Sequence, residues 1–277
     1  KVVRPYEDTM KISVFGSART PVGHPDYMAA EAFSREISKR GWMVITGAGG
    51  GIMRAGHGGA GREASFGVAI RLPFETNAND IIAGDEKLVT FRYFFTRKLM
   101  FVSQANAVAL FPGGFGTQDE GFEVLTLVQT GKSPMVPIVL VDAPGGDYWA
   151  HWDRYVRDEL LANGMIGQDD LNLYFITDDP NEAVKHVTNF YRNYHSQRFV
   201  NDRLVFRIRH KLSQEQLDEL NKSFPDLVKH GLIEQSGPLE GETSHLELTR
   251  LHFDFTKRAY GRLRLLIDRI NDFAPES

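Results

Sequence analysis

The chain contains no cysteine among its 277 residues. That excludes disulfide bridges, thiolate catalysis and sulfur-ligated metal, and it suits a reducing compartment. It has no excess of positive charge: the formal net charge is −4, so no global basic field is available to recruit nucleic acid. No apolar run approaches the ~20 residues that a membrane-spanning helix requires, and no signal-peptide pattern is visible. The nine histidines are scattered, with no His-x-x-x-His spacing, so no bound metal is expected. Repeats and low-complexity segments are also missing. What remains is an ordinary globular composition, 42% hydrophobic and 25% charged, long enough for one large or two modest domains. These absences predict a soluble, cytoplasmic protein. It opens at Lys1 rather than methionine, which leaves room for a leader segment ahead of it.

Apolar segments alternate with helical periodicity over the first two thirds. Ile12–Phe15, Trp42–Thr46, Phe66–Leu72, Ala107–Phe111, Val136–Val141 and Leu173–Thr177 read as strands, the last closing near the series end at Tyr194. Between them, residues around Ala29–Ile37, Gly51–Ala64, Phe91–Ser103, Phe122–Val128, Trp149–Asn163 and Pro180–Tyr194 read as helices. Runs such as Val136–Val141 show no alternation, as expected of strands covered on both faces. The predicted fold is α/β, a doubly wound Rossmann-like parallel sheet over residues 1–196, with ligands bound beyond the carboxyl ends of the strands. Near residue 197 the character changes. Val205–Leu212, a polar helix at Leu217–Leu220, Leu232–Ile233, Leu246–Phe255 and Leu263–Ile270 predict a small accessory α+β module of order β-α-β-β-α over 197–277.

The most informative stretch is Phe111-Pro112-Gly113-Gly114-Phe115-Gly116-Thr117-Gln118-Asp119-Glu120, lying between a buried strand and a helix. Glycines let the backbone approach a ligand, and a helix start offers unpaired N–H groups and a positive dipole end. Gly113, Gly114, Gly116 and Thr117 thus form a candidate phosphate cradle. Asp119, Glu120 and Glu123 follow within a turn or so. Glu120 and Glu123 share a helix face, whereas Asp119 points about 100° away and is explained by the helix dipole. Upstream, Arg97 and Lys98 sit among Phe94, Phe95, Met100 and Phe101, where a cation needs an anionic partner; Arg97 paired with Glu120 supplies one. Gly16-Ser17 and Gly47–Gly51 end two earlier strands. Either run is as suited to close packing as to ligand contact, while Gly56, Gly58, Gly59 and Gly61 read as a helix-packing surface.

These two segments in this order, Arg-Lys and then P-G-G-x-G-T-x-x-E, resemble the LOG family, cytokinin riboside 5′-monophosphate phosphoribohydrolases once misnamed lysine decarboxylases. The resemblance covers roughly residues 11 to 195 and implies Arg97 and Glu120 as catalytic. It also implies Ser17, Gly49, Lys98, Gly113, Gly114, Gly116, Thr117, Glu123 and Thr126 as substrate-binding. It implies cleavage of the N-glycosidic bond of a nucleoside 5′-monophosphate, AMP or a cytokinin riboside monophosphate. No cofactor is expected, and the protein is expected to be a homodimer or higher homo-oligomer. The loop 73–80 differs from the plant-type sequence and is placed at the base pocket. Shorter members lack the tail, so the resemblance is silent on residues 197–277. A non-catalytic nucleotide-binding or phosphorylated-cofactor carrier protein needs the same cradle, but has no use for Arg97 together with Glu120. A single-strand DNA binder would call for a basic, aromatic-rich face.

Overall fold

The computed structural model of the protein describes residues 2–70 and 78–275. Seven parallel strands make the first sheet: β1 (Lys11–Phe15), β2 (Met43–Thr46), β3 (Ser65–Ile70), β4 (Leu88–Phe91), β5 (Ala107–Leu110), β6 (Ile138–Val141) and β7 (Phe175–Thr177). Their spatial order is β4-β3-β2-β1-β5-β6-β7. The chain therefore winds outward from β1 to one edge, then returns to β5 on the other side of β1 (Ile12 against Ala107, Phe15 against Leu110). This is the predicted doubly wound α/β architecture. The reversal between β1 and β5 opens a crevice at their carboxyl ends. Strands β1, β2, β5 and β6 are buried along their whole length, which explains their unbroken apolar runs.

The helices of this part are α1 (Pro25–Lys39), α2 (Ile52–Ala60), α3 (Phe94–Gln104), α4 (Phe115–Gln129), α5 (Tyr148–Tyr155) and α6 (Pro180–Asn189). Helix α1 is stopped at Gly41, whose φ of 81° is the left-handed conformation expected just past a helix end. The glycines of α2 let it lie close to α1: a β-carbon on Gly59 would stand 2.1 Å from the carbonyl oxygen of Glu31. No helix among the described residues is long and apolar enough to cross a membrane.

Three departures from the sequence expectation have plain causes. Strand β4 ends on Phe91, expected to start a helix, and its other residues carry no expected element; at the sheet edge it is only partly buried, so it lacks a distinctive apolar run. Helix α2 ends at Ala60 rather than Ala64 because Gly61, at φ 76°, breaks it. The expected end of β3, Arg71 and Leu72, lies outside the described residues.

The second sheet is antiparallel, in the order β10-β11-β9-β8: β8 (Tyr194–Val200), β9 (Arg203–Ile208), β10 (Glu234–Ser236) and β11 (Thr249–Phe253). It carries α7 (Gln214–Ser223) and α8 (Tyr260–Asp272). The order is β-β-α-β-β-α, one strand more than expected. Strand β8, to which the sequence assigns no element beyond a change of character near residue 197, is an edge strand whose inner positions are mostly only half buried. Asn201 and Asp202, at φ 47° and 64°, form the tight two-residue turn that folds β8 onto β9. Helix α8 buries the predicted stripe of Leu263, Leu266, Ile267 and Ile270.

Two compact units result. One comprises 1–125, 136–165 and 174–187; the other comprises 126–135, 166–173 and 188–277. Two short excursions of the earlier chain are thus part of the second unit. In it, Gly131 lies under the Tyr260 ring and Gly261 lies against the backbone of Asp169.

Candidate active site

The crevice at the β1–β5 reversal is a cleft of 820 Å³. Its floor is the turn from β5 into α4. There Thr117 folds back over Gly113, so that a β-carbon on Gly113 would lie 2.1 Å from the threonine hydroxyl and 2.9 Å from the Ser17 nitrogen. The Ser17 N–H donates to the Pro112 carbonyl at 3.1 Å, joining the exit of β1 to the exit of β5. Thr117 and Gln118 make the first helical hydrogen bonds, both to the Gly114 carbonyl. The N–H groups of Gly114, Phe115 and Gly116 precede that ladder, which leaves them for a ligand.

Glu120 stands one turn into α4 and lines the cleft. Burial pushes its carboxyl up to about 7; Lys98 and Arg97 pull against that shift, while Glu123 and Asp119 add to it. Among the described residues Glu120 takes part in no ion pair. Instead, Lys98 on α3 bridges the neighbouring acids, at 2.6 Å from Asp119 and 3.1 Å from Glu123. Burial works to lower the Lys98 pKa, but these two hydrogen bonds and the field of Glu120 raise it overall. The sequence reading paired Arg97 with Glu120 and explained Asp119 by the dipole. The structure commits Lys98 to Asp119 and Glu123, the acids on either side of Glu120 in the sequence.

Arg97 lines the cleft and is held by its surroundings. Its Nε donates to the Val68 carbonyl at 2.9 Å, and its guanidinium lies over the Phe101 ring at 5.3 Å. It also covers Gly47, where a β-carbon would stand 2.3 Å from a guanidinium nitrogen. With glycine at the exit of β2, the guanidinium occupies space that a β-carbon there would contest.

Of the expected site residues, Ser17, Arg97, Gly113, Gly114, Gly116, Thr117 and Glu120 line this one cleft. Lys98 and Glu123 lie behind its wall as the ion pair just described. Gly49 faces the other way: its carbonyl accepts the side-chain amide of buried Asn79 at 3.0 Å. The ring of His57 completes that cluster, 3.0 Å from the Thr46 hydroxyl and 3.1 Å from the Asn79 amide nitrogen. Thr126 is further along α4, in the second unit, with its carbonyl accepting the Thr130 hydroxyl. Of the loop expected at the base pocket, residues 73–77 lie outside the described residues, and Asp80 is paired with Arg54.

Tyr148 and Arg19 line the cleft but escaped the sequence reading, and the role of Gln118 was not foreseen. Tyr148, at the start of α5, donates to the Gly113 carbonyl at 2.5 Å and accepts from Gln118 at 2.6 Å. It straps the cradle to its own helix. Arg19 follows Ser17 at the rim. Only Gln118, inside the motif, offered a local signal; Tyr148 lies about thirty residues from its partners.

Residues 50–187 match the family described as possible lysine decarboxylase. Over 172 residues the chain is 29% identical to the cytokinin riboside 5′-monophosphate phosphoribohydrolase of Mycobacterium marinum, covering 58% of this chain and 86% of that protein. Among solved structures, the molybdenum cofactor carrier protein of Chlamydomonas reinhardtii is 20% identical, with a TM-score of 0.43 over 65% of this chain and 96% of that one. DNA processing protein A of Helicobacter pylori is 12% identical, with a TM-score of 0.39 over 65% and 81%.

Proposed function

The chain belongs to the LOG family, and on that premise we propose that it hydrolyses the N-glycosidic bond of nucleoside 5′-monophosphates. The products are a free base and ribose 5-phosphate. The observation that carries the reading is Glu120, a carboxyl pushed up to about 7 that faces the same cleft as the cradle. Buried carboxyls so tuned near neutrality are groups suited to acid–base work.

The 5′-phosphate rests on the N–H groups of Gly114, Phe115 and Gly116 and on the Thr117 hydroxyl. Binding there orients the sugar, so that energy from a remote group positions C1′. As the bond from C1′ to the base nitrogen breaks, its electrons leave with the base and C1′ takes on oxocarbenium character. The ionised Glu120 stabilises that charge and accepts a proton as water adds to C1′. A proton returned to the departing nitrogen balances the reaction. Arg97, anchored on Val68, holds positive charge beside Glu120 and the leaving base.

The test is to incubate the protein with a panel of 5′-monophosphates, including AMP and a cytokinin riboside monophosphate, and to detect free base. We expect release from nucleotides and a loss of ~10²-fold or more in kcat/KM when adenosine replaces AMP. Tight AMP binding with no base released would instead identify a binding protein, and equal cleavage of adenosine would remove the cradle from the account.

We further propose that the protein works as a dimer. Tyr93, Phe94, Phe95 and Leu99 around α3 and Phe115 at the cradle are each more than half exposed. A second copy would cover such a patch. Light scattering at micromolar concentration should give twice the monomer mass; a monomer would refute the proposal.

A further inference from the structure

The proposed substrate raises a charge problem that the cradle does not solve. A nucleotide phosphate carries about two negative charges. The groups of the cradle that could receive it are neutral donors: backbone N–H groups and the Thr117 hydroxyl. Two carboxyl groups, Asp119 and Glu120, line the same cleft, and Glu123 lies just behind. The nearby cations on α3 are engaged. Lys98 is shared between Asp119 and Glu123, and Arg97 is anchored on the Val68 carbonyl against Phe101.

Arg19 is different. It lines the cleft, it is exposed, and among the described residues it takes part in no ion pair. Its backbone is fixed: the Arg19 N–H donates to the Ser17 hydroxyl at 3.1 Å, and Ser17 itself is hydrogen-bonded to Pro112 at the cradle's start. The Ser17 nitrogen lies 2.9 Å from the position a Gly113 β-carbon would take, so the turn bearing Arg19 abuts the phosphate-binding backbone. An arginine side chain is long enough to span two residues of such a turn. Its planar fork matches two phosphate oxygens at once, and it stays charged at any working pH.

We infer that Arg19 is the charge partner of the substrate's 5′-phosphate, and so the residue that makes the cleft select a nucleotide over a nucleoside. The inference rests on the nucleotide reading above. In that reading the neutral cradle fixes where the phosphate sits, whereas Arg19 supplies the countercharge that the acids around Glu120 oppose. Being exposed until ligand arrives, it leaves the fold indifferent to its replacement.

The experiment measures binding rather than turnover, in a Glu120→Gln background so that nothing is consumed. Titration calorimetry with AMP and with adenosine is run on that protein and on the same protein carrying Arg19→Ala or Arg19→Lys. AMP should bind about 10- to 100-fold more weakly with alanine, and lysine should restore part of the loss because it keeps the charge but not the fork. Adenosine binding should change less than about threefold, and the AMP affinity of the arginine protein should fall more steeply with salt than that of the alanine variant. Unchanged AMP affinity in Arg19→Ala, or equal weakening of AMP and adenosine, overturns the assignment while leaving the nucleotide reading in place. Failure of the parent protein to prefer AMP to adenosine would be a failure of that reading itself, and the inference would fall with it. Thermal unfolding of each variant checks that the exposed position has not altered the fold.

Discussion

Two glutamates, one half-buried in the first compact unit and one buried in the second, show opposite shifts of the same side chain. Glu242 is fully buried in the second unit, and burial alone would raise its pKa. Hydrogen bonds from Arg250 at 2.8 Å, the Leu239 N–H at 3.0 Å and Arg207 at 3.1 Å outweigh that and carry it down to about 2. Among the described residues no such hydrogen bond to Glu120 offsets its burial, which pushes its carboxyl up to about 7. The helix starts differ in the same way. Helix α7 satisfies its own N-terminus through a reciprocal capping box between Ser213 and Gln216. Helix α4 begins among glycines that have no side chain to offer. The Glu242 cluster pairs its carboxylate with internal donors, whereas the Glu120 carboxyl faces a cleft. A region built for a ligand is recognisable by what it leaves unsatisfied.

The comparison can be broken most severely at Glu242. Glu242→Gln strands Arg250, which is fully buried, and Arg207 without a countercharge, and should destabilise the second unit by about 3–5 kcal/mol. Chemical denaturation should show it as a lowered midpoint. A variant as stable as the parent would mean that the pair is not structural.

Glu120→Gln should do the reverse. It should lower kcat by ~10²-fold or more while AMP still binds, because shape is kept and the ionisable group is lost. Near-normal turnover would sink the mechanism.

Acidity then separates the two sites. In the proposed mechanism the ionised Glu120 is the working form, so the rate should rise about tenfold per pH unit below pH 7 and level off above it. Stability responds with opposite signs. Glu120 binds its proton more tightly when folded, so its contribution falls as pH rises from about 4.5 to about 7, by roughly 1–3 kcal/mol. The contribution of Glu242 is present above about 4.5 and is lost as pH falls towards about 2. Urea denaturation of Glu120→Gln across pH 4.5–8 should lack the decline seen in the parent; an identical decline would reassign it to another group.

The smallest effect is expected at Ser213→Ala, which removes half of the capping box of α7 and should cost about 1 kcal/mol with no change in kcat. A change in kcat would show that the second unit is coupled to the cleft.

Much of the site was legible because it is local. The cradle from Gly113 to Thr117 is a run whose glycines and helix start carry their meaning within a few residues. The Arg97-Lys98 pair was legible as chemistry, but its partners were not. Which of Asp119, Glu120 and Glu123 meets a cation depends on how α3 lies beside α4, and the answer was Lys98 with the outer two. Tyr148 and Asn79 were invisible for the same reason: each acts on a backbone carbonyl about thirty residues away. Strands β4 and β8 were missed because edge strands bury too little to show an apolar pattern.

From the sequence alone came the parallel α/β order and the candidate cradle, because periodicity and turn residues encode both within short windows. The choice of Glu120 among three neighbouring acids came from the resemblance to the LOG family. Tertiary structure alone decided that Lys98 is shared by Asp119 and Glu123 while, among the described residues, Glu120 is in no ion pair, and that the Arg97 guanidinium lies over Gly47. It also placed Arg19 against the cradle. These depend on the separation of groups distant in the chain, and electrostatic energy and steric exclusion are functions of that separation in space, not of distance along the sequence.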